Sequence, residues 1–463
     1  MSTASAPAAP APAAGGVTLA RLAAMMFLQF FVWGSWYVST GNFILNGSGW
    51  EDAAGINGVA YSVAPLAAIL SPLFLGIVAD RFFASERVLA ALMLLGAAAM
   101  AAVPVVLGAE PTDGESTPYL LLLLAHSLCF MPTLGLTNTI AFSHITDPER
   151  QFPLVRVFGT LWWIVGTILV SKWESWFGVS AWTGPDLELS SGQYLVTAAA
   201  SAALAVYSLT LPHTPPPAKG QTSSAADLLG FGAIGMLKDR SFAVFIAAST
   251  LLCVPLAGYY GFAAGFLGDS GFADAGFSMS FGQMSEVLFM LAMPLAFARL
   301  GVKWMLAVGM AAWVVRYGLF AGAAEGGVFA GEAGGGVKWM ILAGVILHGI
   351  CYDFFFVTGQ IYTEKAAPKT LRGQAQGFLV LMTQGFGLLA GAQLFALLTA
   401  AYTTGEGDAA VREWPAIWLW PCAAAGAILV AFCVLFRDRL TAAQRAELAG
   451  DDLAADPAGG SAV

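Results

Sequence analysis

Charged residues are scarce in this chain. Asp, Glu, Lys and Arg make up only 11% of its 463 residues, whereas a soluble domain has about 25%. This scarcity excludes a cytosolic enzyme, a nucleic-acid-binding protein and a disordered scaffold. We therefore expect no nucleic-acid partner.

Cysteine and histidine are scarce as well. The five cysteines are an odd number, all lie inside apolar runs, and no two have the spacing of a metal or redox pair. Neither a disulfide framework nor a zinc site is expected, and no two of the four histidines have metal-ligand spacing. The sequence therefore predicts no cofactor and no metal.

Apolar residues fill most of the chain instead. Hydrophobic residues make up 58% of it, and one helix that spans a bilayer needs about 20 of them in a row. This composition is typical of a polytopic membrane protein. We predict an all-α membrane protein with twelve transmembrane helices, near residues 19–43, 53–78, 87–108, 118–142, 153–173, 192–212, 241–267, 277–298, 302–324, 338–363, 373–403 and 414–436.

A polar stretch divides the predicted helices into two groups of six. Residues 213–227 read HTPPPAKGQTSSAAD, in which proline and small polar residues do not form a packed span. The apolar stretch after it, at 228–237, is either an interfacial helix or ordinary linker. The predicted organisation is a disordered N-terminal tail (1–18), a first half (19–212), a cytoplasmic linker (213–240), a second half (241–436) and a cytoplasmic C-terminal tail (437–463).

Lysine and arginine are distributed unequally between the two sides of the predicted membrane. When the N-terminus is placed in the cytoplasm, fifteen of the twenty basic residues fall inside, three fall outside and two fall within spans. This bias obeys the positive-inside rule, so both termini are predicted to be cytoplasmic. The acidic residues collect outside, so the net charge of −9 reflects sidedness and does not indicate a partner.

Four charged residues lie deep within predicted spans: Arg156, Glu286, Arg316 and Asp353. A charge in the hydrocarbon is costly, so such residues normally face a cavity and serve a function. A transporter, a membrane-embedded enzyme and a receptor-like sensor would all place polar residues there. The chain has no G-x-S-x-G nucleophile elbow, no cytoplasmic loop long enough for a catalytic domain and no soluble output domain. These features favour a transporter, with a membrane sensor without net transport as a remote alternative.

Polar residues share one helical face in two of the spans. Arg156, Thr160 and Trp163 in span five, and Gln283 and Glu286 in span eight, recur at intervals of three or four residues. A cation, a hydroxyl and an aromatic ring suit a ligand that has a polar ring and hydroxyl groups. The alternative for Arg156 is that its side chain snorkels to the cytoplasmic interface.

A carboxylate and an arginine on neighbouring spans indicate a proton site. Arg316 of span nine and Asp353 of span ten can pair, and regular helical spacing places Asp353 and Gln360 on one stripe with Tyr352 and His348 beside it. Desolvation favours a protonated carboxyl and a nearby arginine favours a charged one, so a change in their balance changes the affinity for a proton. A purely structural ion pair is the alternative.

Several stretches resemble known transporters. Residues 76–82 read GIVADRF, which looks like the G-x-x-x-D-[RK] loop of the major facilitator superfamily. Its Asp and basic residue are Asp80 and Arg81. The Gly-Arg-Lys expected next is replaced by Phe83, Ala84 and Ser85, so the second half of the motif is degenerate.

The sequence is similar to the bacterial nucleoside:proton symporters of that superfamily. The stretches that carry this resemblance are FLQFFVWGSW (27–36), LGIVAD (75–80), FMPTLGLTNTI (130–140), FPLVRVFGT (152–160), QMSEVLF (283–289), YDFFF (352–356) and AQGFLVLMTQGFG (375–387). They occur in order from span one to span eleven, so the resemblance covers nearly the whole chain. It implies the major facilitator fold, with a nucleoside bound between two six-helix halves.

The resemblance also implies site residues. The family's polar and aromatic residues match Arg156, Thr160, Gln283, Glu286, Tyr352 and Asp353. Its amides on span seven, however, appear here as Ala257 and Tyr260, and its Phe on span five appears as Trp163. The loss of amides removes groups that could bond to a base edge, and the added rings increase the stacking area. We therefore expect a changed or narrower range of ligands.

The expected function is proton-driven import of nucleosides by alternating access, performed by a monomer in the bacterial cytoplasmic membrane. The alternative is a proton-linked symporter for a sugar or another small polar metabolite. Asp353, tuned by Arg316, is expected to couple the proton, with Glu286 next in line, and Asp80 and Arg81 to form a conformational loop. Substrate contacts are expected from Arg156, Thr160, Trp163, Gln283, Glu286, Tyr352, Tyr260 and Gln29.

Overall fold

The computed structural model describes residues 16–75, 82–108, 111–146, 148–178, 186–216, 229–330, 336–368 and 370–437. Nearly all of this part of the chain is helical, as its apolar runs predict. Asp80 and Arg81, the predicted conformational loop, lie outside the described residues, as do 217–228 of the predicted linker and the chain beyond residue 437.

Six main helices form the first half. They are α1 (Gly16–Gly34), α2 (Ala53–Phe74), α3 (Ser85–Leu107), α4 (Ser116–His144), α5 (Pro148–Ser171) and α6 (Gln193–Ser208). Four shorter segments lie between them: the helices Thr40–Asn42 and Trp173–Phe177, the π turn Phe43–Gly47 and the 3-10 turn Asp113–Glu115. Apart from the end of the first predicted segment, and from residues 76–78, which lie outside the described residues, the predicted segments of this half agree with these helices to within a few residues at each end.

The second half begins after a 3-10 helix, Phe231–Lys238, which lies in the predicted linker. Its helices are α7 (Arg240–Asp269), α8 (275–300), α9 (302–323), α10 (Lys338–Ala366), α11 (Arg372–Ala401) and α12 (Trp414–Leu435). Two of them contain π turns, Asp353–Val357 in α10 and Leu381–Gly387 in α11. The strands Thr403–Thr404 and Val411–Arg412 pair as a small antiparallel ribbon between α11 and α12, with a 3-10 turn, Gly407–Ala409, between them.

Ten helices in the described ranges are long and apolar enough to cross a membrane. One of them, Ala275–Ala323, has 49 residues and is broken at Gly301, whose φ of 66° suits glycine, so it supplies both α8 and α9. Helix α6, with 16 residues, is shorter than the usual span. The total of twelve spans stays a prediction.

Helix α1 differs from its predicted extent of 19–43. It begins at Gly16, so residues 16–18 of the predicted tail are helical, and it ends at Gly34. The hydroxyl of Ser35 donates to the Val32 carbonyl, and that of Ser39 donates to the Trp36 carbonyl. Such bonds compete with the helical backbone pattern, which explains why the helix is interrupted before it resumes at Thr40–Asn42.

The two halves meet along pairs of helices. Within the first half α1 packs along α5, and Gly34 allows a close crossing because a Cβ there would lie 2.4 Å from the Trp163 carbonyl oxygen. Between the halves α2 packs against α11 and α5 packs against α8. These contacts bring the predicted polar faces of α5, α8 and α10 toward the same central region.

Candidate functional site

The first-half side of the central region is built around Arg156 on α5. Its guanidinium lies 4.0 Å above the ring of Phe30 on α1, a favourable cation–π arrangement. One of its terminal nitrogens, Nη1, is buried and has no hydrogen-bond partner among the described residues. Arg156 is thus held by stacking on Phe30 while a buried donor stays free.

Aromatic rings extend this surface. Trp163, two turns after Arg156, lies 4.9 Å from Trp33 of α1 and 6.1 Å from Tyr37, measured between ring centroids. The indole nitrogens of Trp33 and Trp163 are buried without a partner in the described structure. Thr160 is partly buried on the same helix. The predicted face of α5 therefore presents a cation, a hydroxyl and ring surfaces together.

Gln29 of α1 is completely buried. Its Nε2 donates to the Thr133 hydroxyl on α4 at 2.7 Å, and its Oε1 accepts no bond from a described residue. The side chain is therefore fixed at one end and available as an acceptor at the other.

The second-half side depends on a close contact between α8 and α10. The backbone N–H of Gly349 donates to the Ser285 hydroxyl at 3.0 Å, and a Cβ on Gly349 would meet the Ser285 backbone at 2.6 Å. This approach brings Glu286 Oε1 to 3.0 Å from His348 Nε2. Gln283, one turn earlier, is buried with a free Oε1. The predicted Gln–Glu face thus meets α10.

His348 also belongs to a stack of side chains. Its ring lies 4.9 Å from that of Tyr259 on α7 at an interplanar angle of 25°, and the Arg316 guanidinium lies 4.0 Å from the same tyrosine ring. Tyr260 and Tyr352 flank His348, at 6.3 Å and 6.0 Å between ring centroids. Three helices, α7, α9 and α10, thus fix the position of the histidine that contacts Glu286.

The predicted pairing of Arg316 with Asp353 is wrong. Arg316 is completely buried, its Nε donates to the Gly344 carbonyl at 3.1 Å, and its terminal nitrogens bond to no described residue. Asp353 is also completely buried, with neither carboxyl oxygen hydrogen-bonded in the described structure. Arg316 is held instead by the Gly344 carbonyl and by the face of the Tyr259 ring.

The predicted stripe on α10 is altered for a different reason. Asp353 begins a π turn that ends at Val357, and such a turn is wider than a regular helical turn. The angular relation that a regular helix would give between Asp353 and Gln360 is therefore lost: Asp353 is buried and Gln360 is exposed.

The two halves of the site face each other. Tyr37 of the first half and Tyr260 of the second lie 6.0 Å apart between ring centroids. Helix α5, which carries Arg156, packs against α8, which carries Glu286, across the same boundary. The predicted substrate residues lie on α1, α5, α7, α8 and α10.

The arrangement combines ring faces with buried polar atoms that lack partners. A flat heterocycle stacks on aromatic rings, and hydroxyl groups bond to carboxyl, amide and guanidinium groups. Buried polar atoms without partners are rare in proteins and often mark functional sites. Sequence reasoning gave little weight to His348 and missed Tyr37, although Tyr37 follows Trp33 by one helical turn.

The chain is similar to several known proteins. Residues 17–441 match the family described as "Nucleoside H+ symporter". The YegT protein of Escherichia coli (strain K12) is 36% identical over 424 residues, which cover 91% of this chain and 94% of YegT. The xanthosine permease of the same organism is 32% identical over 413 residues, covering 86% and 91%.

A solved structure confirms the fold. The crystal structure of the nucleoside transporter NupG has a TM-score of 0.76 and 29% identity, and the match covers 91% of this chain and all of NupG. The all-α transporter fold expected from the sequence is therefore confirmed. The chain belongs to the nucleoside:H+ symporter family.

Proposed function

We propose that this protein imports nucleosides together with protons by alternating access. The observation that carries the proposal is the cluster of rings and unpaired buried polar atoms between two helical halves, in a chain whose relatives are named nucleoside and xanthosine permeases. Binding between the halves allows the ligand to be exposed to one side at a time.

The nucleoside base would stack against Trp163 and Tyr260, and the unpaired groups of Gln29 and Gln283 would bond to its edge. The ribose hydroxyls would bond to Glu286 and Arg156. Ala257 is buried against α11, near Gly391, so it supplies no polar group to the base. We therefore propose a ligand range set more by ring area than by amide contacts.

Asp353 is the proposed proton-coupling residue. It is completely buried without a hydrogen-bond partner in the described structure, and such a carboxyl is costly to charge. Proton binding at Asp353 would therefore favour the arrangement in which it is buried, and a water-exposed arrangement would release the proton. Glu286 is the second candidate, since its contact with His348 gives it a proton-sharing partner.

The proposed setting is a bacterial inner membrane with both termini in the cytoplasm, where a monomer suffices because the site lies within one chain. The basic residues of the predicted cytoplasmic loops support this orientation. Asp80 and Arg81 are proposed to act in the conformational change.

Uptake into proteoliposomes tests the proposal. Labelled uridine, adenosine and xanthosine would be offered separately, with an inward proton gradient and with a protonophore. We expect accumulation of at least one nucleoside, abolished by the protonophore. Uptake of a labelled sugar with no nucleoside uptake would contradict the substrate class, uptake indifferent to the protonophore would contradict the coupling, and binding without flux would indicate a sensor.

A further inference from the structure

The N-terminus of α8 is capped by the opposite half of the protein. The backbone N–H of Gly276 donates to Glu188 Oε1 at 3.0 Å, and the N–H of Phe277 donates to the Ser171 hydroxyl at 3.0 Å. Glu188 and Ser171 belong to the first half, whereas α8 belongs to the second. We use the name outer cap for the group formed by the backbone amides of Gly276 and Phe277 and the side chains of Glu188 and Ser171.

The outer cap is well supported from the first half. Glu188 is 3% exposed, and its Oε1 also accepts from Asn42 Nδ2 at 2.9 Å. The Ser171 hydroxyl donates to Glu188 Oε2, and the Gln193 side chain donates to the Glu188 carbonyl at 3.2 Å. Every oxygen of the carboxylate is therefore bonded, and the carboxylate is held in position for α8.

The residue expected to cap α8 is engaged elsewhere. Asp274 is the N-cap residue of α8, but its side chain makes no capping bond. It forms an ion pair with Lys172 of the first half instead. An N-cap aspartate normally accepts from the second or third helical N–H, and in α8 those are Gly276 and Phe277, the two donors that the outer cap occupies.

We propose that α8 exchanges its cap during transport: Glu188 and Ser171 cap it while the predicted extracellular ends of the halves are together, and Asp274 caps it when they separate. This inference rests on the alternating access proposed above. Separation would free the amides of Gly276 and Phe277, and it would also release Asp274 from Lys172, so that Asp274 becomes available within its own helix.

The exchange explains how a tight contact between the halves can still open. Unsatisfied helix-terminal amides destabilise a helix, and opening the outer cap would leave two of them without partners. Replacement by Asp274 keeps both donors bonded in the open state, so the free-energy difference between the two states stays small. Glu188 is thus a positioning residue of the transport cycle, distant from the nucleoside site.

Distance measurements between spin labels test the exchange. Glu174 and Glu325 are exposed and lie at the predicted extracellular ends of the two halves, and cysteines at both would carry the labels in a variant whose five native cysteines are replaced by alanine. Double electron–electron resonance then gives the fractions of short and long distances in the full chain. This readout is independent of which solute the protein transports.

We expect Glu188→Ala to raise the ratio of long to short distances about fivefold, which corresponds to about 1 kcal/mol. Glu188→Gln is the matched control, because its amide oxygen still accepts from Gly276 and Asn42 and its amide nitrogen donates to Ser171. Its ratio of long to short distances should not rise above that of the unchanged protein. An unchanged ratio in Glu188→Ala would overturn the proposal.

A second pair of variants isolates Asp274 and leaves Glu188 in place. Lys172→Met removes the ion pair and should raise the long-distance fraction. The double variant Lys172→Met/Asp274→Ala should have a ratio of long to short distances about fivefold lower than Lys172→Met alone. The reason is that removal of Asp274 takes the cap from α8 in the open state only. A ratio that rises or does not change would contradict the exchange, even if Glu188→Ala fails to fold. If nucleoside uptake is normal but the distance ratio does not change in these variants, the cap exchange alone is rejected. If the distance ratio changes as expected but no nucleoside is taken up, only the proposed substrate is rejected.

Discussion

The central site and the outer cap satisfy their polar groups in opposite ways. In the centre, Asp353, Gln283 and Arg156 keep buried polar atoms without partners in the described structure. In the outer cap, the Glu188 carboxylate accepts hydrogen bonds from Asn42 and Ser171 of the first half and from Gly276 of the second. A buried polar group without a partner costs free energy, so the centre is ready for a ligand and the outer cap holds the halves together.

This difference indicates a division of labour. A ligand with hydroxyl groups and a polar ring can satisfy the central atoms, so its binding energy is largest when the two halves close around it. The outer cap needs no ligand, because each half supplies what the other lacks. Substitutions in the centre should therefore change binding and coupling, whereas substitutions in the outer cap should change the separation of the halves.

The largest effect is expected at Asp353. A proton that moves down a membrane potential of about 100 mV releases roughly 2.3 kcal/mol, enough for about fifty-fold accumulation of a neutral solute. We expect Asp353→Asn to abolish accumulation while counterflow exchange of labelled nucleoside continues, since asparagine keeps the shape but binds no proton. Both are measured in proteoliposomes.

Glu325→Gln is the control for Asp353→Asn, because it removes an exposed carboxylate far from the centre. It should accumulate nucleoside normally. If Asp353→Asn still accumulates nucleoside, the proton is bound elsewhere, and Glu286→Gln would be the next variant.

A smaller effect is expected at Arg156. Lysine keeps the charge but loses the planar fork and the flat stacking on Phe30. We expect Arg156→Lys to raise the KM for nucleoside about tenfold, the size of one lost charge-assisted hydrogen bond, with little change in the maximal rate. Initial rates of uptake measure both constants. Arg87→Lys, at an exposed arginine, should leave KM unchanged, and a normal KM in Arg156→Lys would place Arg156 outside the binding site.

A substitution at Trp163 should weaken the binding of purine nucleosides more than that of pyrimidine nucleosides. Phenylalanine is smaller and has no N–H, and a stacked aromatic pair contributes about 0.5–1.5 kcal/mol beyond area burial. We expect Trp163→Phe to weaken adenosine binding about fivefold and uridine binding less, because the purine has the larger face. Competition of each unlabelled nucleoside against labelled uridine gives both affinities. Equal losses for the two would argue against base stacking on Trp163.

The fold was largely predictable from the sequence because a membrane imposes long apolar runs. The predicted segments agree with the helices from α2 to α12 to within a few residues at each end, apart from the end of the second segment, which lies outside the described residues. The end of α1 at Gly34 was not predicted, because it depends on local hydroxyl bonds by Ser35 and Ser39 that compete with the helix.

The site was predictable where the helices are regular. Arg156 and Trp163 share a face of α5 as their spacing predicts, and Glu286 follows Gln283 in the same way. The relations on α10 were not predictable, because the π turn after Asp353 and the close packing of Gly349 on α8 depend on tertiary contacts. These contacts place His348 of α10 against Glu286 of α8. The spacing of residues within α10 cannot predict this pair, because Glu286 lies on another helix.

The smallest effect we expect is a pH dependence that distinguishes the outer cap from the centre. Burial raises the pKa of Glu188, against the opposing hydrogen bonds from Ser171, Asn42 and Gly276. Separation of the halves would hydrate the carboxyl and return its pKa toward the ordinary value. The closed state therefore binds this proton more readily, so acid favours closure and the preference is lost as the pH rises through the raised pKa.

Spin-label distances at pH 5 and pH 8 measure this effect. The long-distance fraction should fall a few-fold in acid, and Glu188→Gln should reduce that dependence because it cannot titrate. Asp186→Asn serves as a second control, since burial also raises the pKa of Asp186, and Lys172 and Asp274 face the same layer. If the pH dependence is the same in Glu188→Gln as in the unchanged protein, another carboxyl is the group that titrates, because the protonated and charged forms of Glu188 would then hold α8 equally well.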